Sequence, residues 1–429
     1  MPDRVMLWYR NDLRVDDHEA LHRAARAGAQ ILPVYIDEPP TSRHALPGNP
    51  AIPGFRRKFR LESLLALDQR WRAWRGSLVV RTGEPADVIP ELCARYGITE
   101  VFVNAESSHD EAMQLREVAR NLQGTQAACR VFHGAPLIHP EDLPFECADL
   151  PDIFSQYRKR VETRLHVRAC FETPSEVQVL PHDEAPFEPR LPDTITDARS
   201  ALPFHGGESA GHARLHDYLW TSDGIRTYKE TRNGLVGTDY SSKLSAWLAT
   251  GCISARQVFH EVRRYEQQRI ANDSTSWMIF ELLWRDYFRL VMEKFGAAMF
   301  SLNGISDRGV PPPRGRDIVT FQHWLNGTTG NRFIDANMRE LRLTGFMSNR
   351  GRQNVASHFV HDLGMDWRLG AAAFEAMLVD YDVYSNWGNW AYVAGVGNDP
   401  RENRRFNIAR QAEMYDPDGA YQRLWLDRD

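Results

Sequence analysis

The first 135 residues alternate between two patterns of apolar positions. Short apolar runs at residues 4–9, 29–36, 77–82, 99–105 and 129–134 predict strands. The segments between them carry apolar residues at spacings of three and four, which predicts helices, and three of these segments end at a glycine. Strict alternation of strand and helix is typical of a parallel sheet with helices on both faces. We therefore predict a doubly wound parallel α/β sheet domain over residues 1–135.

The pattern changes after this domain. Residues 136–215 are rich in Pro, Asp and Glu and contain one helical candidate, at residues 154–166, which predicts a long interdomain connector. From residue 216 to residue 429 the helical pattern is almost continuous and strand patterns disappear. The second domain is therefore predicted to be all-α, and residues 274–295 are predicted to form a buried amphipathic helix.

Composition narrows the class of protein. A chain of 429 residues is long enough for two or three domains. Its five cysteines are scattered singly without a CxxC pair, which argues against a disulfide framework and against a metal site. The N-terminus lacks the apolar core of a signal peptide, and no run of about 18 apolar residues occurs. We expect a cytoplasmic, monomeric protein without a membrane segment.

The overall charge does not indicate a nucleic-acid-binding protein. The net charge is −5 and the pI is about 6.3, whereas phosphate contacts require Lys and Arg. Basic residues nevertheless cluster within residues 158–168, 332–352 and 401–410. A local basic groove is therefore compatible with the acidic total.

The stretch DYDVYSNWGNWAYVAG, residues 380–395, combines Trp and Tyr rings with Asp and Asn side chains. It contains no His, Cys or Ser arranged as a nucleophile or metal ligand. No GxGxxG follows the first strand either, so the α/β domain lacks the dinucleotide-binding fingerprint.

The chain resembles the photolyase/cryptochrome family, and within it cryptochrome DASH. The resemblance runs from residue 4 nearly to the end, is weakest over residues 170–215, and rests on ordered blocks: WYRNDLRVDDHEAL, FSQYRKRVE, YKETRNGL, SSKLSAWLATGCIS, FELLWRDYFR, GNRFIDANMRELRLTGFMSNRGRQNVAS, DYDVYSNWGNWAYVAGVGNDPR and YDPDGAYQRLWL. It implies FAD-dependent, blue-light-driven repair of cyclobutane pyrimidine dimers, preferentially in single-stranded DNA. The alternative is a blue-light receptor that binds DNA or protein partners without repair. A flavin oxidoreductase is a more distant third, because no NAD-phosphate motif accompanies the flavin blocks.

The resemblance implies a non-covalent FAD in the helical domain. Small hydroxyls and N–H groups at a helix start, residues 241–245, suit a diphosphate. Arg352 with Asp380 resembles the family's buried ion pair beside the flavin ring, Asp382 the group on the pyrimidine side, and Asn386 the amide at flavin N5. The implied FAD-binding residues are Tyr228, Ser241, Ser242, Lys243, Leu244, Ser245, Arg285, Asn349, Arg352, Asp380, Asp382 and Asn386.

Tryptophans near a light-excited flavin can supply it with an electron. Trp390 and Trp367 resemble the first and second members of the family's relay. The position of the outermost relay tryptophan holds Arg314 instead. Either Trp324, Trp277 or a nearby Tyr replaces it, or photoreduction from solvent is impaired.

The resemblance also implies a substrate pocket. Glu281 and Trp284 resemble the residues that contact the dimer, and their spacing places them on one helix face. Tyr392 occupies the position where double-strand photolyases have a second pocket Trp, and a smaller ring recovers less of the cost of flipping a dimer out of duplex DNA. The implied catalytic residues are Glu281, Trp284, Asn349, Asn386, Trp390 and Trp367; the implied DNA contacts are Arg232, Glu281, Trp284, Arg350, Gln353 and Tyr392.

A second chromophore is a further implication of the resemblance. Family members often carry 5,10-methenyltetrahydrofolate as an antenna in the α/β domain. Glu111, after NAESSHD, falls near an antenna contact of cryptochrome DASH. We therefore take Glu111 as the candidate antenna-binding residue.

Overall fold

The computed structural model describes residues 3–38, 46–48, 52, 54–306, 317–398 and 405–427. Its N-terminal domain is a parallel sheet with the strand order β3-β2-β1-β4-β5. The strands are β1 (Arg4–Tyr9), β2 (Gln30–Asp37), β3 (Val79–Thr82), β4 (Glu100–Asn104) and β5 (Ala128–Phe132). The helices between them are α1 (Glu19–Arg26), α2 (Phe55–Ala73), α3 (Pro85–Tyr96) and α4 (His109–Asn121). The predicted doubly wound α/β domain is confirmed.

Strand β1 explains why the predicted strands are continuously apolar. Val5, Leu7 and Tyr9 pack into the large core that extends into the helical domain. Met6 and Trp8, on the opposite face, pack into a separate core with residues of α3 and α4. A strand buried on both faces needs apolar side chains at odd and even positions alike, so it loses the alternation that a half-exposed strand would show.

The connector is anchored to the sheet. It contains α5 (Phe154–Glu162) and a two-residue strand, β6 (Gln178–Val179), which pairs in parallel with Gln30 and Ile31 of β2. The sequence pattern did not predict β6, because two residues show no periodicity and the pairing depends on a tertiary contact. Short 3₁₀ turns occur at Pro140–Asp142 and Cys147–Asp149.

The second domain is helical throughout its described residues. Within them no helix combines the length and apolar character needed to span a bilayer. Turns of 3₁₀ type occur at Gly224–Thr227 and Gly296–Phe300, and π turns at Asp217–Thr221 and His358–Asp362. The helices are α6 (Glu208–His216), α7 (Tyr228–Thr231), α8 (Ser245–Ala249), α9 (Ala255–Gln268), α10 (Asp273–Phe295), α11 (Ile318–Asn326), α12 (Arg332–Thr344), α13 (Asn349–Ser357), α14 (Trp367–Met377), α15 (Val383–Val393), α16 (Ile408–Tyr415) and α17 (Ala420–Leu426).

Buried polar contacts fix the two domains against each other. Glu106, just after β4, accepts hydrogen bonds from Arg289 of α10 at 2.7 Å and from the Tyr384 hydroxyl of α15 at 2.6 Å. Asp17, before α1, forms a buried ion pair with Arg256 of α9 at 2.8 Å. Since removing one partner of such a pair leaves an uncompensated buried charge, these contacts make the interface specific as well as stable.

Candidate cofactor and substrate site

A cavity of about 310 Å³ lies among α7, α10, α13, α14 and α15. Its size is at the lower end of the range of small-molecule pockets. Most residues that the sequence assigns to cofactor or substrate lie in its wall: Tyr228, Arg232, Ser241, Ser242, Lys243, Leu244, Ser245, Glu281, Asn349, Arg352, Gln353, Asp380, Asp382, Asn386, Trp390 and Tyr392. The fold thus brings predicted residues that are up to 164 positions apart in sequence, Tyr228 and Tyr392, into the wall of one cavity.

The ion pair predicted from the sequence is present in the cavity wall. Arg352 Nη2 donates to both carboxylate oxygens of Asp380, at 2.8 and 3.0 Å. Its Nε donates to the Met347 carbonyl at 2.9 Å, which fixes the orientation of the guanidinium. The Asp380 side chain is 1% exposed and that of Arg352 is 24% exposed. A buried carboxylate is therefore paired with one charged partner at the edge of the cavity.

The first turn of α15 carries two of the predicted flavin contacts. Asp382 caps the helix by accepting from Ser385 N at 3.1 Å. Asn386 Nδ2 donates to the Ala371 carbonyl at 3.0 Å, whereas its buried Oδ1 finds no hydrogen-bond partner in the described part of the chain. An unsatisfied buried acceptor is costly, so it indicates a missing donor. An N–H at flavin N5 is such a donor, and the site fits a flavin in this respect.

The segment 241–245 supplies the polar end of the cavity. Lys243 has φ 52° and donates from Nζ to the carbonyls of Thr238 at 2.5 Å and Gly237 at 3.3 Å. Burial, assisted by the charge of Arg214, lowers the pKa of Lys243 to about 7. A nearby anion would favour its protonated form. Because α8 has only five residues, hydroxyls, backbone N–H groups and Lys243 would hold a diphosphate, with little help from a helix dipole.

The mouth of the cavity is organised around Glu281. Its Oε1 accepts from Arg232 Nη1 at 2.8 Å and from Trp277 Nε1 at 3.0 Å. Burial raises the pKa of the Glu281 carboxyl, while Arg232 and Trp277 oppose this shift. The carboxyl is thus held in one place, and its protonated form persists to higher pH than in an exposed glutamate.

Trp284 lies behind the cavity wall. It stacks on Phe154 of α5 with a centroid distance of 3.7 Å and an interplanar angle of 10°. Its other ring neighbours include Tyr392, which lines the cavity and meets it edge-on at 6.0 Å. The sequence analysis did not predict a role for Phe154. The only sequence feature that pointed to it was its position at the start of the helix predicted in the connector.

Three other predicted residues lie outside the cavity wall. Arg285 donates to the carbonyls of Ala135 at 2.8 Å and Leu248 at 3.2 Å, so its guanidinium joins α10 to the connector and to α8. Arg350 donates to Asn233 at 3.0 Å and to Gln353 at 2.9 Å, and it lies over the ring of Tyr415. Trp367, the third, belongs to the aromatic cluster described next.

Trp390 is the tryptophan of the cavity wall. Its ring neighbours include Trp324 at 6.2 Å, Phe359 at 5.9 Å and Phe374 at 5.1 Å. Gly370 of α14 lies directly against its ring, where a Cβ would come within 2.2 Å of Trp390 Cη2. Trp367 is one helical turn from Gly370, and Arg314 lies outside the described residues. Two branches therefore start at Trp390: one runs through its ring contact with Trp324, and the other reaches Trp367 through the backbone of α14 at Gly370.

Trp367 and Trp277 have different surroundings. The Trp367 ring meets that of Trp387 edge-on at 5.7 Å, and its Nε1 donates to the Leu302 carbonyl at 3.0 Å. Trp277 lies at the mouth of the cavity beside Glu281.

The sequence also missed several residues of the cavity wall. Apart from the predicted set, the wall includes Phe346, Met347, Ala356, Phe374, Leu378, Tyr381, Ser385, Asn389 and Val393. Tyr381, Ser385 and Asn389 lie within residues 380–395. Their proximity in sequence to the predicted site residues of that stretch could have identified them. The apolar members looked like ordinary core residues.

The candidate antenna residue lies at the start of α4. The backbone carbonyl of Glu111 accepts from Arg10 Nη2 at 3.4 Å. A cavity of about 30 Å³ between the domains, with Ser107 and His133 in its wall, does not include Glu111. A second chromophore at Glu111 stays a prediction.

One group of possible metal ligands occurs in the described chain, at Asp16, Glu208 and His212. The Glu208 carboxylate accepts from Asp16 N at 2.9 Å and from Val15 N at 3.3 Å. Its oxygens are thus used to attach the start of α6 to the loop after β1.

Comparisons with known proteins agree with this geometry. Residues 5–178 match the family model described as DNA photolyase, and residues 277–428 match the model described as the FAD binding domain of DNA photolyase. The chain is 46% identical to cryptochrome DASH of Synechocystis sp. over 431 residues, covering 99% of this chain and 88% of the relative. It is 45% identical to cryptochrome DASH of Xenopus laevis, covering 99% of this chain and 83% of that protein.

Solved structures give the same result. The crystal structure of a Synechocystis sp. cryptochrome superimposes with a TM-score of 0.94 at 46% identity, covering 100% of this chain and 89% of that one. A bacterial class III photolyase from Agrobacterium tumefaciens superimposes with a TM-score of 0.84 at 27% identity, covering 100% and 87%. The similarity therefore includes both domains and the connector.

Proposed function

This chain belongs to the DNA photolyase and cryptochrome family, with the FAD-binding domain of that family, and from this premise we propose that it repairs cyclobutane pyrimidine dimers under blue light, preferentially in single-stranded DNA. The observation that carries the proposal is the single cavity with Glu281 and Tyr392 at its mouth and the Asp380–Arg352 pair with Asn386 in its wall. A light receptor needs the cofactor residues, whereas repair also needs a carboxyl and a ring placed to hold a dimer against the cofactor.

Each group in the inner wall has a defined task in this proposal. FAD, when bound in its reduced form, would supply the electron for opening the cyclobutane ring. The Arg352–Asp380 pair and Asp382 orient the cofactor through directional hydrogen bonds. Asn386, whose donor is already used by Ala371, offers Oδ1 to an N–H and so favours cofactor states that carry a proton there.

Glu281 performs the task on the substrate side. Negative charge develops on the pyrimidine carbonyl oxygens when the dimer accepts an electron. A protonated Glu281 can donate a hydrogen bond to such an oxygen, and its raised pKa keeps this form available. Trp277 and Arg232 keep the carboxyl at the mouth before substrate arrives, so little reorganisation is needed.

The preference for single strands follows from the aromatic residues. Tyr392 offers a smaller stacking surface than Trp, and Trp284 already stacks on Phe154. The pocket therefore recovers only part of the unstacking and unpairing free energy, a few kcal/mol, that a duplex demands. An unpaired dimer does not impose this cost.

The proposal is tested by measuring repair directly. FAD-loaded protein, chemically reduced beforehand, is illuminated with blue light in the presence of oligo(dT) that carries cyclobutane dimers, and monomer thymines are quantified by chromatography. We expect conversion in the light and none in the dark, with slower conversion of the same dimer in a duplex. No conversion of single-stranded substrate would overturn the proposal in favour of the receptor function, and equal rates on duplex would refute the strand preference.

The aromatic branches lead to a prediction about photoreduction. Trp390→Phe should slow photoreduction of oxidised FAD by an external thiol most strongly, because Trp390 is the tryptophan of the cavity wall. Trp324→Phe and Trp367→Phe should each slow it less, since either change leaves the other branch intact. Flavin absorption under continuous blue light measures the rate, with Trp74→Phe in the α/β domain as the matched control. An unchanged photoreduction rate in Trp390→Phe would refute the relay. If Trp324→Phe or Trp367→Phe alone slowed photoreduction as much as Trp390→Phe does, all electron transfer would pass through that one branch.

A further inference from the structure

An aromatic surface continues beyond the mouth of the cavity along α10. Trp277, Phe280, Glu281 and Trp284 recur at spacings of three, one and three residues, which places them on one helix face. Trp277 and Phe280 are partly exposed, and their rings lie 4.6 Å apart. Trp277 also donates to Glu281. The surface therefore begins at the group that we assign to the dimer and leads away from it.

Basic side chains from two other helices cover these rings. The guanidinium of Arg158 on α5 lies 5.2 Å from the centroid of Phe280. The ring of Trp277 has Arg232 at 4.9 Å and the Lys229 ammonium at 5.5 Å, both from α7 or its end. Aromatic rings alternating with cations are typical of surfaces that bind single-stranded nucleic acid.

The ion pairs that Arg158 and Lys229 form within the protein do not prevent these side chains from binding a phosphate. Arg158 pairs with Glu162 at 3.0 Å, but both side chains are 43% exposed. Lys229 pairs with Asp273, whose side chain is 81% exposed. Exposed pairs contribute roughly 0–1 kcal/mol, so a phosphate can replace the carboxylate at little cost. Lys159 and Arg160, exposed on the same turn of α5, increase the positive charge beside Arg158.

We propose that Arg158, Lys229, Trp277 and Phe280 form a second nucleotide site, the α10 platform, which binds an unpaired nucleotide next to the dimer. The inference rests on the proposed function, because it assumes that the lesion enters the adjoining cavity. The base stacks on the ring and guanidinium pairs, and its phosphate contacts Arg158 and Lys159. A base within a duplex keeps both faces stacked and cannot use the platform. Preference for single strands then arises partly from a contact that duplex DNA cannot make.

The charge of the platform is tested by binding in the dark. FAD-loaded protein is titrated with fluorescent, undamaged (dT)8 at several salt concentrations. In Arg158→Gln/Lys159→Gln, the slope of log K against log salt should fall by about 0.7, because both side chains contact the same phosphate and each neutralised phosphate of a single strand contributes about 0.7. Arg116→Gln/Arg120→Gln, two exposed arginines of α4 in the α/β domain, make the same charge change elsewhere and should leave binding as in the wild type.

The rings of the platform are tested separately. Phe280→Leu keeps an apolar side chain but removes the π-face, and it should weaken (dT)8 binding roughly tenfold while leaving the salt slope unchanged. Unchanged FAD content and thermal unfolding show that α10 is still folded. Neither change should weaken the binding of a thymine dimer dinucleotide, since that ligand is too short to reach beyond the cavity.

The outcomes separate this inference from the proposed function. If Arg158→Gln/Lys159→Gln and Phe280→Leu both bound (dT)8 with the affinity and the salt dependence of the wild type, the α10 platform would be refuted, even if the wild type repairs dimers. Equal losses for the dinucleotide and for (dT)8 would also overturn it, because the changes would then act through the cavity. Weakened (dT)8 binding in a protein whose wild type repairs nothing would retain the platform and remove the repair function.

Discussion

Protein carrying Asp380→Ala should be purified without FAD. The change leaves Arg352 as a cation at the wall of the cavity, with its partner removed and with most of its side chain withdrawn from water. Breaking a buried ion pair typically costs about 3–5 kcal/mol, and the partial exposure of Arg352 favours the lower value. This cost falls on the fold of the cavity wall, so Arg352 is no longer held in the orientation that contacts the cofactor and FAD is lost.

The ratio of flavin absorption to protein absorption measures this loss directly. Asp197→Ala is the matched control, since Asp197 forms a similar two-point ion pair with Arg199 outside the cavity wall. The double change Asp380→Ala/Arg352→Met should recover thermal stability relative to Asp380→Ala, because it removes the stranded charge. Stoichiometric FAD in Asp380→Ala would refute the role of the pair in cofactor binding.

Glu281→Ala should repair dimers about 10²-fold more slowly while keeping its FAD. The change removes the group that stabilises charge developing on the pyrimidine oxygens, an effect of roughly 10²–10³ in comparable sites. The Glu281 side chain is 30% exposed and that of Asp380 is 1% exposed, and among the described residues Glu281 makes no ion pair with Arg352, so the Asp380–Arg352 contacts stay intact. Glu281→Gln keeps an N–H donor at the same position and should lose less activity than Glu281→Ala.

Single-turnover repair of dimer-containing oligo(dT) under saturating light measures these rates. Glu117→Ala, an exposed glutamate of α4, is the control for loss of a carboxylate. Equal repair rates in Glu281→Ala and wild type would show that Glu281 takes no part in the reaction. Loss of FAD together with activity would instead assign Glu281 to the architecture of the cavity.

The large features of the fold could be predicted because they depend on long, repeated patterns. Strands β1 to β5 lie within two residues of the predicted runs, and α12 ends at Gly345 in the left-handed conformation that is common for a glycine after a helix. The Arg352–Asp380 pair was also predictable, since the surrounding blocks are distinctive. These features are encoded locally, either by periodicity or by a motif.

Features that depend on contacts between distant segments were not predictable. The stacking of Phe154 on Trp284 joins the connector to α10 across about 130 residues of sequence. Strand β6 has no pattern of its own. Arg285 falls within a matched block, yet it donates to Ala135 and Leu248, because its position on α10 faces the connector. In each case the partner is selected by packing, which a single sequence does not reveal.

Glu106 has a consequence for how the protein can be divided. This one carboxylate, supplied by the α/β domain, accepts from Tyr384 on the helix that carries Asn386 and Trp390, and from Arg289 on the helix that carries Glu281. The spacing between the inner wall and the mouth is therefore set partly from outside the helical domain. A fragment that starts after the connector would contain nearly every predicted cofactor and substrate residue. It would lack Glu106, the carboxylate that fixes α10 and α15 relative to each other. In this architecture the α/β domain is a structural part of the candidate cofactor and substrate site.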